Sequence, residues 1–192
     1  MPEPRPEVLD FLLTRRSRPA KTLAPPAPDR AEVALLLTAA ARVPDHGKLE
    51  PWRFVVLSGG ALPRLAALIR ELGAARGEAP DALEKLAGGF ARAPLIVAVV
   101  AVPKPSPTIP EIEQTLSAGA VCLGLVNAAL AAGWGANWLS GWPALDRGFL
   151  DRGLGLGPAE WVAGFVHIGT ETRVPPERPR PDVSGLTDWV TA

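Results

Sequence analysis

No Asp, Glu, Lys or Arg lies between Glu113 and Asp146, and this uncharged stretch limits the folds open to the chain more than any other segment does. Residues 116–132 are largely apolar, and a membrane-spanning helix needs about 20 such residues. Yet Ser117, Asn127 and the small residues Ala118, Gly119, Ala120, Gly124 and Ala128 make the segment only weakly hydrophobic, and no Lys or Arg anchors flank it. A buried central helix outside any membrane is therefore expected. Its small residues would let another backbone approach closely.

Twenty basic residues balance twenty acidic ones among 192. This argues against a nucleic-acid partner, whose phosphates demand clustered excess positive charge. With 47% hydrophobic and 21% charged residues the composition is globular, and a chain of this length buries about 70% of its unfolded surface. One domain over residues 1–192 is expected, with a Pro/Arg-rich tail from about residue 171. Cys122 is the only cysteine, so neither an intrachain disulfide nor a Cys-rich metal site is available. The segment MPEPRPEVLDFLLTRRS has no continuous apolar core and does not read as a secretory signal; a cytoplasmic location is expected.

Leu9, Leu12 and Leu13 share one face of a helix expected over residues 6–16, which a proline-rich bend at 23–28 ends. Asp29 with Glu32 three residues on is a capping box, and Val33, Leu36, Leu37, Ala40 and Ala41 give the following helix an apolar stripe. A polar loop at 43–51 leads to a strand at 52–58, then helices at 61–75 and 81–92, and a β-branched strand at 95–102. The long helix is expected over about 110–132, closed by the glycines at 133–135. Beyond it the pattern suggests a short strand or loop beginning at Trp138, a small helix at 144–152 and a strand at 161–168. This order does not alternate strand and helix regularly, and no Gly-rich loop follows the first strand, which argues against a Rossmann fold.

No Walker loop, GxSxG or HExxH is present, and His46 and His167 are the only histidines. His167 sits within the apolar run VAGFVHIG, where a structural histidine is the expected reading. Three polar clusters remain at the ends of elements. Arg15, Arg16 and Ser17 offer guanidinium forks and a hydroxyl suited to a phosphate, although arginines at a helix C-terminus also complement the helix dipole. Residues 42–52 bring Arg42, His46 and Lys48 into a loop stiffened by Pro44 and Pro51. Residues 135–141 read either as a tight turn or as a ligand-facing segment carrying Trp138 and Ser140.

Taken in order, Arg15-Arg16-Ser17, the Pro44-Asp45-His46 to Pro51-Trp52 loop, Ala93-Pro94 ahead of a hydrophobic strand, Ser117-Ala118-Gly119, the glycines from 133 to 141 and the segment 164–170 resemble the FMN-dependent nitroreductase family. The resemblance runs from about Leu9 to Thr170. It implies an α+β fold with a central, mostly antiparallel sheet flanked by helices, assembled as a homodimer with an FMN at each of two interfaces. On this resemblance, Arg15, Arg16 and Ser17 hold the FMN phosphate and ribityl chain, and Arg42 and His46 belong to a loop contributed to the flavin site. Trp138, Leu139 and Ser140 line the isoalloxazine pocket. Ala128, Ala129, Leu130, Ala131, Ala132 and Gly133 correspond to a segment associated with the nicotinamide nucleotide. Lys21 or Arg18 would face the flavin N1/O2 edge, and Arg173 is the candidate for closing on the phosphate.

The activity this implies is transfer of electrons from NADH or NADPH through FMN to electron-poor acceptors such as nitroaromatics or quinones. No side chain would act as nucleophile, because the flavin carries the chemistry. Leu139 stands where close relatives carry Arg. That departure keeps open a flavin-binding redox sensor or partner-binding subunit without turnover.

Overall fold

The structure, a computed structural model, describes residues 2–192. Pro6 opens α1 (Pro6–Thr14), a position where its missing N–H costs nothing. The helix stops before Arg15, so Arg15, Arg16 and Ser17 lie in the chain leaving it. The bend that follows contains a cis Pro25–Pro26 bond and a strand, β1 (Leu23–Ala24), too short to show in any sequence pattern. At α2 (Arg30–Ala40) the capping box is present in both directions: Ala31 and Glu32 N–H donate to the Asp29 carboxylate, and Asp29 N–H donates to Glu32.

β2 (Trp52–Leu57), α3 (Ala61–Ala75), α4 (Pro80–Ala91), β3 (Leu95–Ala101) and α5 (Glu111–Ala131) fall close to their expected places. The rest corrects the sequence reading. Residues 135–141 are not a turn; they begin with β4 (Gly135–Leu139), three residues ahead of the start expected at Trp138. The expected helix at 144–152 is broken into a 3-10 turn at Trp142–Ala144, α6 (Arg147–Phe149) and a π-helical turn at Leu150–Leu154, because Asp146 caps a new start through Phe149 N–H. The last strand, β5 (Trp161–Glu171), runs three residues past Ile168, where β1 pairs with it at Thr170 and Glu171.

Every strand pair is antiparallel. β5 is the hub: it pairs with β3, β4 and β1, and β2 joins beyond β3. Side chains of successive strand residues point to opposite faces, so β3 feeds two cores. Ile96, Ala98 and Val100 pack with α3, α4 and Phe149 on one side, while Leu95, Val97 and Val99 pack with α2 and α5 on the other.

α5 passes the length and composition test for a membrane span, yet it packs against α2, β3, β4 and β5. Its polar residues pin loops. Ser117 Oγ donates to Pro44 O at 2.8 Å and accepts from Trp52 Nε1 at 3.1 Å, and Gln114 pairs with both backbone groups of Lys104. Its small residues serve neighbours in the same chain: a Cβ at Gly124 would lie 3.2 Å from Ala40 O and 3.3 Å from Ala40 Cα. Gly124 is thus the crossing point of α2 and α5.

Candidate functional site

β4 lies at the margin of the sheet, paired with β5 alone, and α4 packs Leu83, Ala87 and Phe90 into the core shared with β3 and β5. A basin of about 530 Å³ remains between β4 and α4, with Pro19–Lys21 and Leu23–Pro25 as its other wall. Asn137 and Leu139 of β4 line it, as do Lys85, Gly88, Gly89 and Arg92 of α4. Two glycines between two cations on one helical face leave a smooth wall flanked by positive charge.

The strand period sorts the expected pocket residues. Leu139 lines the basin, and Leu139 and Ser140 also line a smaller apolar cavity of about 250 Å³ beside it. Trp138 is turned to the opposite face, where its Nε1 donates to Ala163 O at 3.2 Å and its ring tip approaches Gly119. Asn137 was missed by the sequence reading, and a strand placed from Gly135 would have paired it with Leu139. Cys122, packed near Trp138 and Gly164, is no nucleophile, since burial pushes its thiol up to about 12.

Beyond Pro19 lies a group of arginines. Arg15 Nη2 donates to Ser17 Oγ at 3.0 Å, Arg16 Nη1 donates to Ser17 O at 3.3 Å, and Arg180 Nη2 lies 3.5 Å from Arg15 O. Arg18 is held at 3.3 Å from Glu171 and fixed by its N–H to Ala136 O. Burial, with the charges of Arg180, Arg16 and Arg18, pulls the Arg15 guanidinium below its ordinary value. The Nε atoms of Arg15 and Arg16 are buried without a hydrogen-bond partner among the described residues. Buried donors left unpaired are costly, and an anion seated here would satisfy them. Arg180, from the tail, joins this group where sequence suggested Arg173; Arg173 is exposed. Lys21 lines the basin.

Arg42 and His46 lie elsewhere on the chain. Asp45 caps the loop by accepting from Leu49 and Glu50 N–H, whereas His46 Nδ1 reaches Glu113 Oε2 at 2.7 Å across to α5. Gly47, Lys48 and Glu50 all have positive φ, which fixes this loop in an unusual shape. Among the described residues no hydrogen bond, ion pair or cavity links His46 or Arg42 to the basin. Ala128–Gly133 closes α5, with the N–H groups of Ala132, Gly133 and Trp134 donating back to Ala128, Leu130 and Ala129; this segment does not line the basin.

His167, on the same sheet row as Asn137, is 3% exposed, and burial lowers it from 6.5 to about 4. It therefore folds in neutral, and the unfolded chain binds the extra proton. Its contribution to stability is complete above about pH 6.5 and is lost as pH falls toward 4. Between pH 7 and pH 5 the protein should lose roughly 2 kcal/mol through this group. Urea unfolding at the two pH values should show that loss, and it should shrink markedly in His167→Phe. An equal pH dependence in both proteins would refute the assignment.

The model of the nitroreductase family matches residues 12–170. YdjA of Escherichia coli K12, inferred to be an NAD(P)H nitroreductase, is 34% identical over 164 residues, spanning 85% of this chain and 88% of its own. Among solved structures, a nitroreductase-like family protein from Bacillus cereus superposes with a TM-score of 0.81 at 22% identity, covering 100% of both chains. A Bacteroides fragilis nitroreductase with bound FMN superposes with a TM-score of 0.74 at 21% identity, over 96% of this chain and 99% of its own.

Proposed function

The chain belongs to the nitroreductase family, and from that premise we propose that it is an FMN-dependent NAD(P)H oxidoreductase acting on electron-poor acceptors. The observation that carries the flavin reading is the pair of buried, unpartnered Nε atoms on Arg15 and Arg16 beside Ser17. They fit a phosphate, and the adjoining basin offers room and cations for a flat, electron-accepting ring system. FMN, when bound, supplies the two-electron carrier between a nicotinamide donor and the acceptor. The residues of this chain hold and polarise it: Arg15, Arg16, Ser17 and Arg180 take the phosphate end, and Lys21, Lys85 and Arg92 supply positive charge along the basin. Cations there stabilise the negative charge that builds up on reduction. The acceptors we assign are nitroaromatics or quinones, taken up in alternation with the nicotinamide.

A homodimer accounts for what one chain leaves open. Val8, Leu9, Leu12 and Leu13 of α1 and Ile112, Leu116 and Leu123 of α5 are exposed, and uncovered apolar helix faces of this kind fit a subunit interface. Arg42 and His46, remote from the basin of their own chain, would then be supplied to the partner's basin. With α5 engaged in the fold, we place the protein in the cytoplasm.

The purified protein, supplemented with FMN, should show a bound-flavin spectrum that NADH or NADPH bleaches without oxygen and a quinone restores. A protein that takes up no FMN would overturn the flavin reading. One that binds FMN but is not bleached would be a binding module without turnover.

A further inference from the structure

The apolar cavity beside the basin has the marks of a second ligand site. Its walls are Leu86 and Phe90 of α4 with Phe165 and Leu139 of the sheet, and His167 lines it from β5. His167 is nine-tenths buried and more, and its side chain has no hydrogen-bond partner among the described residues. Neither ring nitrogen is among the sealed, unpartnered side-chain atoms, so the imidazole meets the open space of the cavity, where a ligand can give it or take from it a hydrogen bond.

Size and shape define the occupant. A cavity of about 150 Å³ suffices for benzene, so this one, about 250 Å³ and partly open to solvent, has room for a single substituted ring. Phe90 stands edge-on to Phe165 at 5.1 Å and 75° and to His167 at 5.9 Å and 82°. Aromatic edges and faces arranged this way suit another aromatic ring. A neutral imidazole presents one donor and one acceptor, which matches a hydroxyl and offers nothing to an anion.

We propose that this cavity binds a small, uncharged, single-ring aromatic molecule bearing one hydrogen-bonding substituent, which pairs with His167. Lys85, Gly89 and Leu139 border both the cavity and the basin. The two sites are thus neighbours with a shared wall.

Phenol and toluene are nearly equal in size and differ in the hydroxyl, so titration calorimetry with each tests the proposal, on FMN-loaded and on flavin-free protein. Phenol should bind both forms, about tenfold more tightly than toluene, as one net hydrogen bond allows. In His167→Phe, which keeps a ring and removes its nitrogens, that preference should vanish. In Leu86→Trp, which fills the cavity, both probes should be lost while FMN uptake persists. An unchanged preference in His167→Phe, no phenol binding to the wild type, or binding confined to the flavin-free form would each overturn the proposal. Should the wild type take up no FMN, the flavin reading fails by itself, and the flavin-free titrations still decide the cavity.

Discussion

Arg15→Ala should weaken FMN binding ten- to a hundredfold in a protein that melts no lower than the wild type. The guanidinium touches Ser17 through Nη2 and leaves Nε buried and unpaired. A phosphate seated there gains a charge-assisted bond worth roughly 1.5–3 kcal/mol, about one to two decades of affinity. Stability should hold because Arg15 is crowded by Arg16, Arg18 and Arg180, and deleting one of four like charges relieves repulsion. Arg180→Ala should weaken binding less, since that side chain is half exposed and already paired with Glu177 at 2.8 Å. Fluorescence titration of FMN with each variant measures both effects. An unchanged dissociation constant in folded Arg15→Ala would remove the phosphate assignment.

Gly124→Glu should abolish the fold. The space beside Gly124 is filled by the backbone of Ala40, which cannot yield as a flexible side chain could. A carboxylate forced between α2 and α5 would be both overpacked and uncompensated, and such changes exceed about 4 kcal/mol. The glycine therefore acts within the chain, as the point where α2 approaches α5. Leu123→Glu, on the exposed side of the same helix, should instead leave the melting transition cooperative and lower the molecular mass seen by light scattering. A folded Gly124→Glu protein would refute the close crossing.

Much of the fold was legible because its signals are local. Asp29 with Glu32 names a helix start, and the β-branched run at 95–101 can hardly be anything but a buried strand. Elements that exist only through partners were not legible. β1 has two residues and is defined by Thr170 and Glu171, while β4 begins with Gly-Ala and borrows its extended shape from β5.

The candidate site divides in the same way. Arg15 to Ser17 are contiguous, so they stood out. Arg180 reaches them across 165 positions of chain, a separation no local pattern records. Lys85, Gly88, Gly89 and Arg92 did carry a signal, since they recur on one helical face, but cations at that spacing ordinarily mark a solvated surface. His167 was read as structural because apolar neighbours in sequence suggest a packed environment, and it is 3% exposed. They do not reveal that those neighbours enclose an opening.

The position of β5 at the hub also governs how the molecule opens. Segments unfold locally at very different free energies, and the most densely paired strands open last. The amides of β3 and β5 should therefore be the slowest to exchange with deuterium; β5 carries His167 and pairs with the β4 residues that line the basin. Helix α4 borders the basin without being tied into the sheet by a backbone ladder. A ligand in the basin therefore rests between a base held by backbone ladders and a wall held by the side-chain packing of Leu83, Ala87 and Phe90.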